Sequence, residues 1–599
     1  MEVTGAELFV KALKEENVDT LFAYPGGQVI DLFHALYGEE GIEVVLPRHE
    51  QGLIHAADGY ARSTGKTGVC LVTSGPGATN LVTGIATANY DCVPLVCFTG
   101  QVPRELMGKD AFQEVDIVSI TGSICKYAVT VKDREDLAVT IREAFHIARM
   151  GKPGVVVVDL PKDIQKMYGS DDYPTEIMPR GNKPEVASEN CNEKYLRKHV
   201  SKALEQLSGA KRPVFLIGGG VSIAHANKEM TQLAERTGIP VVTTIMGRGA
   251  VPTTNKLFVG NIGIHGSYAA NFAISHCDVL FAIGTRFSDR ITGKIEEFAP
   301  GAVIIHIDID AACISGNIVA DIPIVSDARM AINALLEQAK PLDISEWRNE
   351  IDGLKKKYPI VMRDAGLTPQ KIIACINDMF PDALVATDVG QNQLWTTQFL
   401  ELDGHKKMMT SGGMGTMGYG FPAAIGAKIG NPHRDVIVIS GDGGMQMNIQ
   451  EMATAVVYEL PIIVCILNNG YLGNVRQWQE MFYDRKYANT CMCYRRSCPA
   501  FCSSPREDCP EYTPDFVKLA ESYGARGVRV TGAEEIEAAF RFAKKNQKMP
   551  TVLEFIIDRE INVMPIVPPG NEICDMILED GKLPKGNLEL CNYSQCDKI

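Results

Sequence analysis

Short hydrophobic runs alternate with amphipathic stretches along this chain. Near the N-terminus, Thr4-Gly5-Ala6-Glu7 has the pattern of a capping box and predicts a helix to about Glu16. Hydrophobic strands are predicted at 20–23, 43–46, 69–73, 95–99 and 155–160, and helices from Glu50 and after Gly77. Strands that alternate with helices in this way predict parallel sheets joined by crossover helices.

The same alternation begins twice more. A second series of strands is predicted at 214–217, 241–244, 279–283 and 303–309, and a third at 384–387, 436–440 and 462–467. A polar, Pro- and Gly-rich stretch and a charged stretch separate the three series. The predicted organisation is an N-terminal domain (1–165), a linker (166–195), a central domain (196–340), a second linker (341–365), a C-terminal domain (366–560) and a tail (561–599).

Composition and charge narrow the class of protein. The chain has 599 residues, of which 45% are hydrophobic and 22% are charged, as in globular proteins. A net charge of -14 argues against a nucleic-acid partner. The hydrophobic runs are too short to span a membrane, and no signal peptide is expected at the N-terminus. The 17 cysteines are therefore expected to be reduced thiols in a cytoplasmic protein.

Two polar loops follow neighbouring predicted strands of the third series. Gly441-Asp442-Gly443-Gly444 comes after the strand at 436–440, and Asn468-Asn469 comes after the strand at 462–467. One βαβ unit would place both loops at the carboxyl edge of the sheet, where carboxylate and amide oxygens suit Mg²⁺. Gly-Asp-Gly alone is more often an ordinary turn, but the combination is specific. It resembles the motif that binds thiamine diphosphate (ThDP) with Mg²⁺.

A carboxylate in the first series has the position that ThDP chemistry requires. Glu50 lies between a predicted strand and a helix rich in small residues. One carboxylate that hydrogen-bonds the aminopyrimidine ring of ThDP is enough to activate this cofactor. The alternative is that Glu50 only favours a helix N-terminus, and that alternative would be preferred without the Asp442 motif.

Further motifs identify a family. They are Tyr24-Pro25-Gly26-Gly27, His49-Glu50-Gln51, residues 100–104, 110–114 and 284–290, and Arg476-Gln477-Trp478. With these motifs the chain resembles the catalytic subunits of acetohydroxyacid (acetolactate) synthase from about residue 3 to about residue 578. The resemblance implies an α/β fold of three doubly wound parallel-sheet domains, as in ThDP-dependent decarboxylases and carboligases.

The resemblance also implies a reaction and an assembly. The family decarboxylates pyruvate and transfers the two-carbon unit to pyruvate or 2-oxobutanoate, at the start of branched-chain amino-acid synthesis. Its cofactors are ThDP, Mg²⁺ and a FAD without redox work in the main reaction. The family forms a homodimer or a dimer of dimers, with Glu50 and Asp442 of one site on different chains, and a small regulatory subunit is a further expected partner.

Site residues follow from the resemblance position by position. The expected catalytic residues are Glu50, Gln113, Lys162 and Met417, and the expected substrate contacts are Phe112, Arg290 and Trp478. The expected metal ligands are Asp442, Asn469 and the carbonyl of Tyr471. ThDP contacts are expected at Pro25, Gly26, Glu50, Gly390, Gln391, Gln393, Gly415, Met417, Gly441, Asp442, Gly443, Gly444, Asn469, Tyr471, Leu472 and Gly473. FAD contacts are expected at Lys152, Gly218, Gly219, Gly220, His265, Gly266, Gly284, Thr285, Arg286, Asp289, Arg290, Asp308 and Asp327.

Two alternative functions and the role of one segment stay open. The chain could be another ThDP enzyme, such as a pyruvate oxidase, a sulfoacetaldehyde acetyltransferase or the catabolic, FAD-free acetolactate synthase. It could also be a regulatory protein that has lost its activity, although Glu50, Asp442 and Asn469 argue against this. Separately, five cysteines between Cys491 and Cys509 either bind a metal or an iron–sulfur cluster or are free thiols of a loop.

Overall fold

The computed structural model describes residues 2–174, 189–361, 366–499, 502–506 and 508–578. Two compact units divide the chain, one made of residues 1–193 with 364–562 and the other of 194–363 with 563–599. The first unit contains the N-terminal and C-terminal domains, and the second contains the central domain. Within the described residues, no helix combines the length and hydrophobicity that a membrane span requires.

The N-terminal domain is built on a six-stranded parallel sheet. The domain contains eight strands, of which six form this sheet: β1 (Glu2–Thr4), β2 (Thr20–Ala23), β3 (Glu43–Val45), β4 (Gly68–Val72), β5 (Leu95–Gln101), β6 (Tyr127–Thr130), β7 (Val155–Pro161) and β8 (Tyr168–Ser170). Its helices are α1 (Gly5–Glu15), α2 (Ile30–Leu36), α3 (Glu50–Thr64), α4 (Pro76–Thr79), α5 (Val82–Tyr90), α6 (Ile117–Thr121), α7 (Leu137–Arg149) and α8 (Lys162–Lys166). The sheet order is β3-β2-β4-β5-β7-β6, and β1 pairs with β8 as a separate antiparallel ribbon.

Helices cover both faces of this sheet. Alternate residues of one strand belong to different hydrophobic clusters: Leu21 and Ala23 to one, Phe22 to the other. Since successive side chains of a strand point to opposite faces, each face has its own core. The predicted capping box is confirmed, because Thr4 and Glu7 bond reciprocally at the start of α1.

The central domain repeats this architecture. Its strands are β9 (Pro213–Ile217), β10 (Val241–Thr243), β11 (Phe258–Asn261), β12 (Val279–Ile283), β13 (Val303–Asp308) and β14 (Ile322–Val325), in the parallel order β11-β10-β9-β12-β13-β14. Its helices are α9 (Glu189–Gly209), α10 (Gly219–Ile223), α11 (Asn227–Thr237), α12 (Tyr268–Ser275), α13 (Asp289–Thr292), α14 (Ala328–Gln338) and α15 (Ser345–Lys357).

The C-terminal domain is the third of the kind. Its strands are β15 (Leu384–Thr387), β16 (Lys407–Met409), β17 (Val436–Gly441), β18 (Ile462–Asn468), β19 (Arg526–Val530) and β20 (Thr551–Ile556), in the parallel order β16-β15-β17-β18-β20-β19. Its helices are α16 (Pro369–Met379), α17 (Gln391–Phe399), α18 (Gly420–Gly430), α19 (Asp442–Met447), α20 (Met452–Val457), α21 (Gly473–Phe482), α22 (Phe516–Ser522) and α23 (Ile536–Lys545). Three domains with six-stranded parallel sheets flanked by helices confirm the predicted fold class.

Small residues join the N-terminal and C-terminal domains within the first unit. Helices α3 and α18 touch backbone to backbone, and a Cβ at Gly426 would lie 1.7 Å from the carbonyl oxygen of Ala56. A Cβ at Gly59 would lie 2.0 Å from the carbonyl oxygen of Ala423. The glycines in these two helices are therefore required by close packing.

Some stretches predicted as linkers contain regular structure. Strand β8 and the start of α9 lie within 166–195, of which residues 175–188 are outside the described part. Helix α15 lies within 341–365, and its Trp347 is buried in the central core. The described part of the tail also packs on the central domain, since Asn271 Nδ2 donates to the carbonyl of Ile573 at 2.7 Å. Residues 579–599 of the tail are outside the described part.

Candidate cofactor and active site

In each sheet the chain first adds strands on one side of its first strand and then continues on the other side of it, which creates a switch point. These points lie between β2 and β4, between β9 and β12, and between β15 and β17. In open α/β sheets, ligands bind beyond the carboxyl ends of the strands at such a point. The sequences that follow these strands include Pro25-Gly26, Gly218-Gly219-Gly220 with Gly284, and Gly390 with Gly441-Asp442. The fold therefore brings predicted site residues to all three points.

Asp442 has a buried carboxylate oxygen without a hydrogen-bond partner. Asp442 is the first residue of α19 and is 1% exposed, and its Oδ2 atom accepts no hydrogen bond from the described residues. Burial raises the pKa of this carboxyl to about 7, although the nearby Tyr512 hydroxyl acts in the opposite direction. Leaving a buried carboxylate oxygen unpaired is costly, and a cation would remove that cost. Asp442 therefore fits the Mg²⁺ ligand that the sequence predicts.

Asn469 lies beside Asp442 in a turn that is tightly hydrogen-bonded. The strands β17 and β18 pair so that Gly441 is opposite Leu467, and the Asn469 backbone N–H lowers the pKa of Asp442. The Asn469 Oδ1 atom accepts the Tyr471 N–H at 3.1 Å, and its Nδ2 donates to Gln391 Oε1 at 3.0 Å. Its amide is thus held at the edge of the sheet by residues that the sequence also assigned to the cofactor.

Glycines leave room where predicted cofactor residues converge. A Cβ at Gly443 would lie 3.0 Å from both Met417 Cε and Leu472 Cδ2, and one at Gly473 would lie 2.1 Å from Gln391 Oε1. These contacts place Met417, Gly443, Leu472 and Gln391 at one location. Gly390 (φ 105°) and Gly415 (φ 67°) occupy conformations that favour glycine. Gln393 instead donates to Thr410 Oγ1 at 2.7 Å, in the neighbouring loop.

Asp388 holds the loop of Met417, although no sequence motif indicated this residue. This carboxylate is 1% exposed and accepts the N–H groups of Gly418 at 3.0 Å and Gly420 at 3.1 Å. A Cβ at Gly444 would lie 2.5 Å from its Oδ1 atom. Asp388 therefore links the loop before α18 to the glycines after β17.

Glu50 lies with the glycine-rich turns of the N-terminal domain. Its Oε2 atom accepts a hydrogen bond from Asn80 Nδ2 at 2.9 Å, and a Cβ at Gly77 would lie 3.5 Å from its Oε1 atom. A Cβ at Gly26 would lie 2.5 Å from Thr73 Cβ. Glu50, Gly26 and the turn after β4 thus share one edge, and Asn80 is a partner of Glu50 that the sequence did not reveal.

A buried carboxylate of the C-terminal domain fixes the turn that precedes Glu50. Glu451 is 1% exposed, and its Oε1 atom accepts the backbone N–H groups of Arg48 and His49, both at 3.0 Å. Its Oε2 atom accepts from the Thr454 hydroxyl at 2.6 Å. Burial raises the pKa of Glu451, and these hydrogen bonds act in the opposite direction. Glu451 is therefore a positioning residue for Glu50.

We expect Glu451→Ala to lower the kcat of the expected ThDP-dependent reaction by about tenfold or more. The backbone N–H groups of Arg48 and His49 would lose their acceptor, which costs about 1–3 kcal/mol for each group, and the turn that holds Glu50 would be less well fixed. Glu451→Gln is the matched control: its amide oxygen can accept from Arg48 and His49, and its NH₂ group can donate to Thr454. Steady-state kinetics beside thermal melts separate the two variants. Equal kcat values for Glu451→Ala and the wild type would show that the turn does not depend on this carboxylate.

The predicted substrate residues are distributed over both units. In the first unit, Phe112 is 85% exposed, Gln113 has a φ of 61° beside Gly75, and Lys162 Nζ donates to the carbonyl of Gly27 at 2.6 Å. Trp478 is half-buried on α21, with its ring 5.7 Å from that of Phe482. Arg290 belongs to the second unit and pairs with Asp289 at 3.4 Å, where both side chains are exposed.

The predicted FAD residues include a compact glycine contact. A Cβ at Gly218 would lie 2.1 Å from the carbonyl oxygen of Gly284, and the Gly220 N–H donates to the same oxygen at 3.1 Å. Thr285 follows, with its carbonyl 2.9 Å from His306 Nε2. This glycine turn follows β9 and β12, at the position where open α/β sheets bind dinucleotides.

Other predicted FAD residues have structural contacts in the central domain. His265 Nδ1 lies 3.1 Å from the carbonyl of Pro565, and burial lowers the pKa of this imidazole to about 4. Asp308 Oδ1 accepts the Asp310 N–H at 2.9 Å, and Asp327 caps α14. Gly219, Gly266 and Arg286 belong to the same unit, whereas Lys152 belongs to the first unit.

The cysteine-rich stretch does not form a metal site in the part of the chain that the structure describes. No three His, Cys, Asp or Glu side chains there are placed to hold a metal ion. Cys491, Cys493, Cys498, Cys502 and Cys509 are all free.

Three family models match successive parts of the chain. They describe the N-terminal thiamine pyrophosphate (ThDP) binding domain at residues 3–120, the central domain at 200–335 and the C-terminal thiamine pyrophosphate binding domain at 388–555 of thiamine pyrophosphate enzymes. Each match covers most strands of one sheet, whereas β6, β7 and β15 lie outside the matched residues.

Named relatives match almost the whole chain. An acetolactate synthase large subunit of Corynebacterium glutamicum is 43% identical over 96% of this chain and 90% of its own length. A probable acetolactate synthase large subunit of Methanocaldococcus jannaschii is 42% identical over 96% of this chain and 95% of its own length. An acetolactate synthase large subunit of Parasynechococcus marenigrum is 42% identical over 96% of this chain and 91% of its own length.

Proposed function

Because the chain belongs to the thiamine pyrophosphate enzymes, and among them to the acetolactate synthase large subunits, we propose that it is the catalytic chain of an acetolactate synthase. It decarboxylates pyruvate and transfers the two-carbon hydroxyethyl unit to pyruvate or 2-oxobutanoate, which begins the synthesis of valine, leucine and isoleucine. The observation that carries the proposal is the unpaired Asp442 carboxylate oxygen beside the Asn469 turn.

The residues of the C-terminal domain hold the diphosphate end. Asp442, Asn469 and the carbonyl of Tyr471 bind Mg²⁺, which prefers oxygen ligands. Residues 443, 444 and 473 are glycines, and their backbone N–H groups can approach the phosphates. Met417 lies against Gly443, and its side chain would contact the bound cofactor there.

The residues of the N-terminal domain act on the aminopyrimidine end. When bound, ThDP supplies the nucleophilic carbon that attacks the 2-oxo acid. The Glu50 carboxylate accepts from Asn80 and keeps its other oxygen for the ring nitrogen of the cofactor. Gln113 and Lys162 act near the reacting atoms, Phe112 and Trp478 shape the acceptor pocket, and Arg290 binds the substrate carboxylate.

The proposed assembly is a homodimer or a dimer of dimers in the cytoplasm. One site takes Glu50 from one chain and Asp442 from the partner chain, and a small regulatory subunit binds the assembly. The relatives are named as large subunits, which supports a smaller partner.

Product analysis tests the proposed reaction. The purified protein is incubated with pyruvate, ThDP and Mg²⁺, and each cofactor is omitted in turn. We expect acetolactate as the main product and no turnover after either omission. Acetaldehyde or acetyl phosphate as the main product would identify a different thiamine pyrophosphate enzyme, and the absence of turnover would favour a regulatory role.

FAD binding in the central domain is the next expected outcome. Gly284→Ala places a Cβ at φ 61° and 2.6 Å from Gly220 Cα, so we expect the flavin absorbance per protein to fall severalfold. ThDP affinity should be unchanged. Gly301→Ala is the matched control, because a Cβ there meets nothing within 4 Å. A wild-type protein that is purified in the presence of FAD and shows no flavin absorbance would contradict the assignment.

Acceptor choice is expected to depend on Trp478. 2-Oxobutanoate has one methylene more than pyruvate, and burial of a methylene is worth about 0.8 kcal/mol. A pocket shaped by the indole ring can favour the larger acceptor by roughly tenfold. We expect Trp478→Leu to lose this preference in a competition assay while it still forms acetolactate from pyruvate alone. An unchanged product ratio with a much lower melting temperature would assign Trp478 to the core instead.

A further inference from the structure

A buried glutamine lies at the base of the loop that carries two of the proposed substrate residues. Residues 102–116 join β5 to α6, and this β5–α6 loop contains Phe112 and Gln113. Gln101 is the last residue of β5, directly before the loop, and is 1% exposed. It belongs to the motif at 100–104 and is not among the residues proposed to contact a cofactor or the substrate.

Three hydrogen bonds give the Gln101 amide one orientation. Its Oε1 atom accepts the Val102 N–H at 2.9 Å, and its Nε2 atom donates to the carbonyl of Val115 at 2.8 Å and to Asp159 Oδ2 at 3.1 Å. A backbone N–H can only donate and a backbone carbonyl can only accept, so these two partners fix which end of the amide faces each of them. Gln101 therefore ties the far end of the β5–α6 loop to the end of β5.

Asp159 holds Gln101 from the side of the sheet. It lies on β7, is 1% exposed, and its Oδ1 atom accepts from the Thr99 hydroxyl at 2.7 Å. The Thr130 hydroxyl donates to its Oδ2 atom at 3.3 Å. Thr99 and Thr130 are the residues opposite Asp159 on the neighbouring strands β5 and β6. The carboxylate that accepts from Gln101 is thus part of the sheet and not of a loop.

The β5–α6 loop has strained backbone at the residue proposed to be catalytic. Gln113 has a φ of 61° and Asp110 a φ of 53°, in the left-handed region that favours glycine. Non-glycine residues keep such conformations only where surrounding contacts hold them, and they cluster at functional sites. Glu114 accepts the N–H groups of Gly108 and Ala111. These two bonds lie inside the loop, so they shape it without attaching it to the sheet.

The far end of the loop lies at the proposed active site. A Cβ at Gly75 would lie 2.9 Å from the carbonyl oxygen of Gln113, and one at Gly77, in the same turn, would lie 3.5 Å from Glu50 Oε1. Gln113 comes two residues before Val115, which accepts from Gln101. A displacement of Val115 would therefore move Gln113 relative to this turn.

We propose that Gln101 is a positioning residue of the β5–α6 loop: by holding its far end, it places Gln113 and Phe112 and so affects turnover and the choice of acceptor. The inference rests on the roles of Phe112 and Gln113 in the proposed function. Gln101 acts on the reaction through the loop, so ThDP binding should not depend on it.

Hydrogen exchange of Gln101→Met tests whether the loop is held in this way. Methionine fills nearly the same space, but it cannot donate to Val115 or Asp159. Exchange is followed by mass spectrometry on the full protein with ThDP, Mg²⁺ and FAD present. We expect the amides of residues 105–117 to exchange about tenfold faster than in the wild type. Peptides of the central and C-terminal domains should exchange as in the wild type.

Kinetics with pyruvate and 2-oxobutanoate together report where the loop places its side chains. We expect kcat to fall by about tenfold in Gln101→Met, because the proposed catalytic residue is less well held. The product ratio should move toward the ratio of the two acceptors in solution. The Kd for ThDP, measured by calorimetry, should be unchanged. A general loss of structure would instead change the ThDP affinity and the exchange of all peptides together.

Two variants serve as matched controls. Thr130→Val removes the longest of the three hydrogen bonds to Asp159 and none to the loop, so it should behave as the wild type in both measurements. Asp159→Asn keeps an oxygen that accepts from Gln101 and gains an NH₂ group that can donate to a threonine hydroxyl. It should retain most of the wild-type kcat and the wild-type product ratio.

Several results would overturn the inference. They are an unchanged exchange rate of residues 105–117 in Gln101→Met, faster exchange there with unchanged kcat and product ratio, a matching loss of ThDP affinity, or equal changes in Thr130→Val. If Gln101→Met does not fold, Asp159→Ala takes its place, since it removes one of the three partners of Gln101, and the same results decide. A wild type that forms no acetolactate would overturn the proposed function instead, and the exchange rates would still show whether Gln101 holds the loop.

Discussion

Asp442→Ala is expected to raise the Kd for ThDP in Mg²⁺ by at least about a hundredfold, which corresponds to about 2.8 kcal/mol. The carboxylate is the only charged group among the proposed metal ligands, and without the metal the diphosphate meets backbone donors alone. The fold should be kept. Removal of the carboxylate relieves the unpaired Oδ2 atom but also takes away the acceptor for the Tyr512 hydroxyl and the Asn469 N–H, so the melting temperature should change little.

Calorimetry with and without Mg²⁺ measures this effect. Asp558→Ala is the matched control, because Asp558 follows β20 in the same sheet and is exposed. That variant should bind ThDP as the wild type does. Equal ThDP affinity in Asp442→Ala and the wild type would contradict the metal assignment.

Glu50→Gln is expected to lower kcat by about a thousandfold while ThDP affinity changes only a few fold. The amide can still accept from Asn80, so the turn is kept, but it cannot supply the charge that activates the aminopyrimidine. Glu43→Gln, which changes an exposed carboxylate on β3, should have no effect on kcat. Similar steady-state rates for Glu50→Gln and the wild type would remove Glu50 from the catalytic machinery.

The sequence was sufficient to predict most central strands but, apart from β3, not the edge strands of the three six-stranded sheets. The predicted strands at 20–23, 279–283 and 462–467 agree with β2, β12 and β18. The strands β6, β11, β14, β16 and β19 were not predicted, and all are at the edges of their sheets. Edge strands bury less of their surface, so their hydrophobic runs are weak. Strand β20 is internal, but the buried Glu554 interrupts its hydrophobic pattern.

The motifs were good predictors of the residues that would contact a ligand. They were poorer predictors of the residues that hold those ligand contacts in place. The structure brings Asp442, Asn469, Met417 and Gln391 together, as the motifs imply. Asn80, Asp388 and Glu451 were missed, because each acts through a contact that only the folded chain creates. A carboxylate such as Glu451 inside a mainly hydrophobic stretch is the one signal that could have indicated a buried, hydrogen-bonded acid.

A complementation experiment tests most directly that Glu50 and Asp442 are two halves of one ThDP site. Chains with Glu50→Gln and with Asp442→Ala are coexpressed with different tags, and the mixed dimer is isolated by tandem purification. If each site joins Glu50 of one chain to Asp442 of its partner, one site of the mixed dimer is intact and the other carries both changes. Acetolactate formation from pyruvate should then be about half that of the wild-type dimer, although each parent variant is nearly inactive. A mixed dimer as inactive as its parents would contradict a site shared between chains.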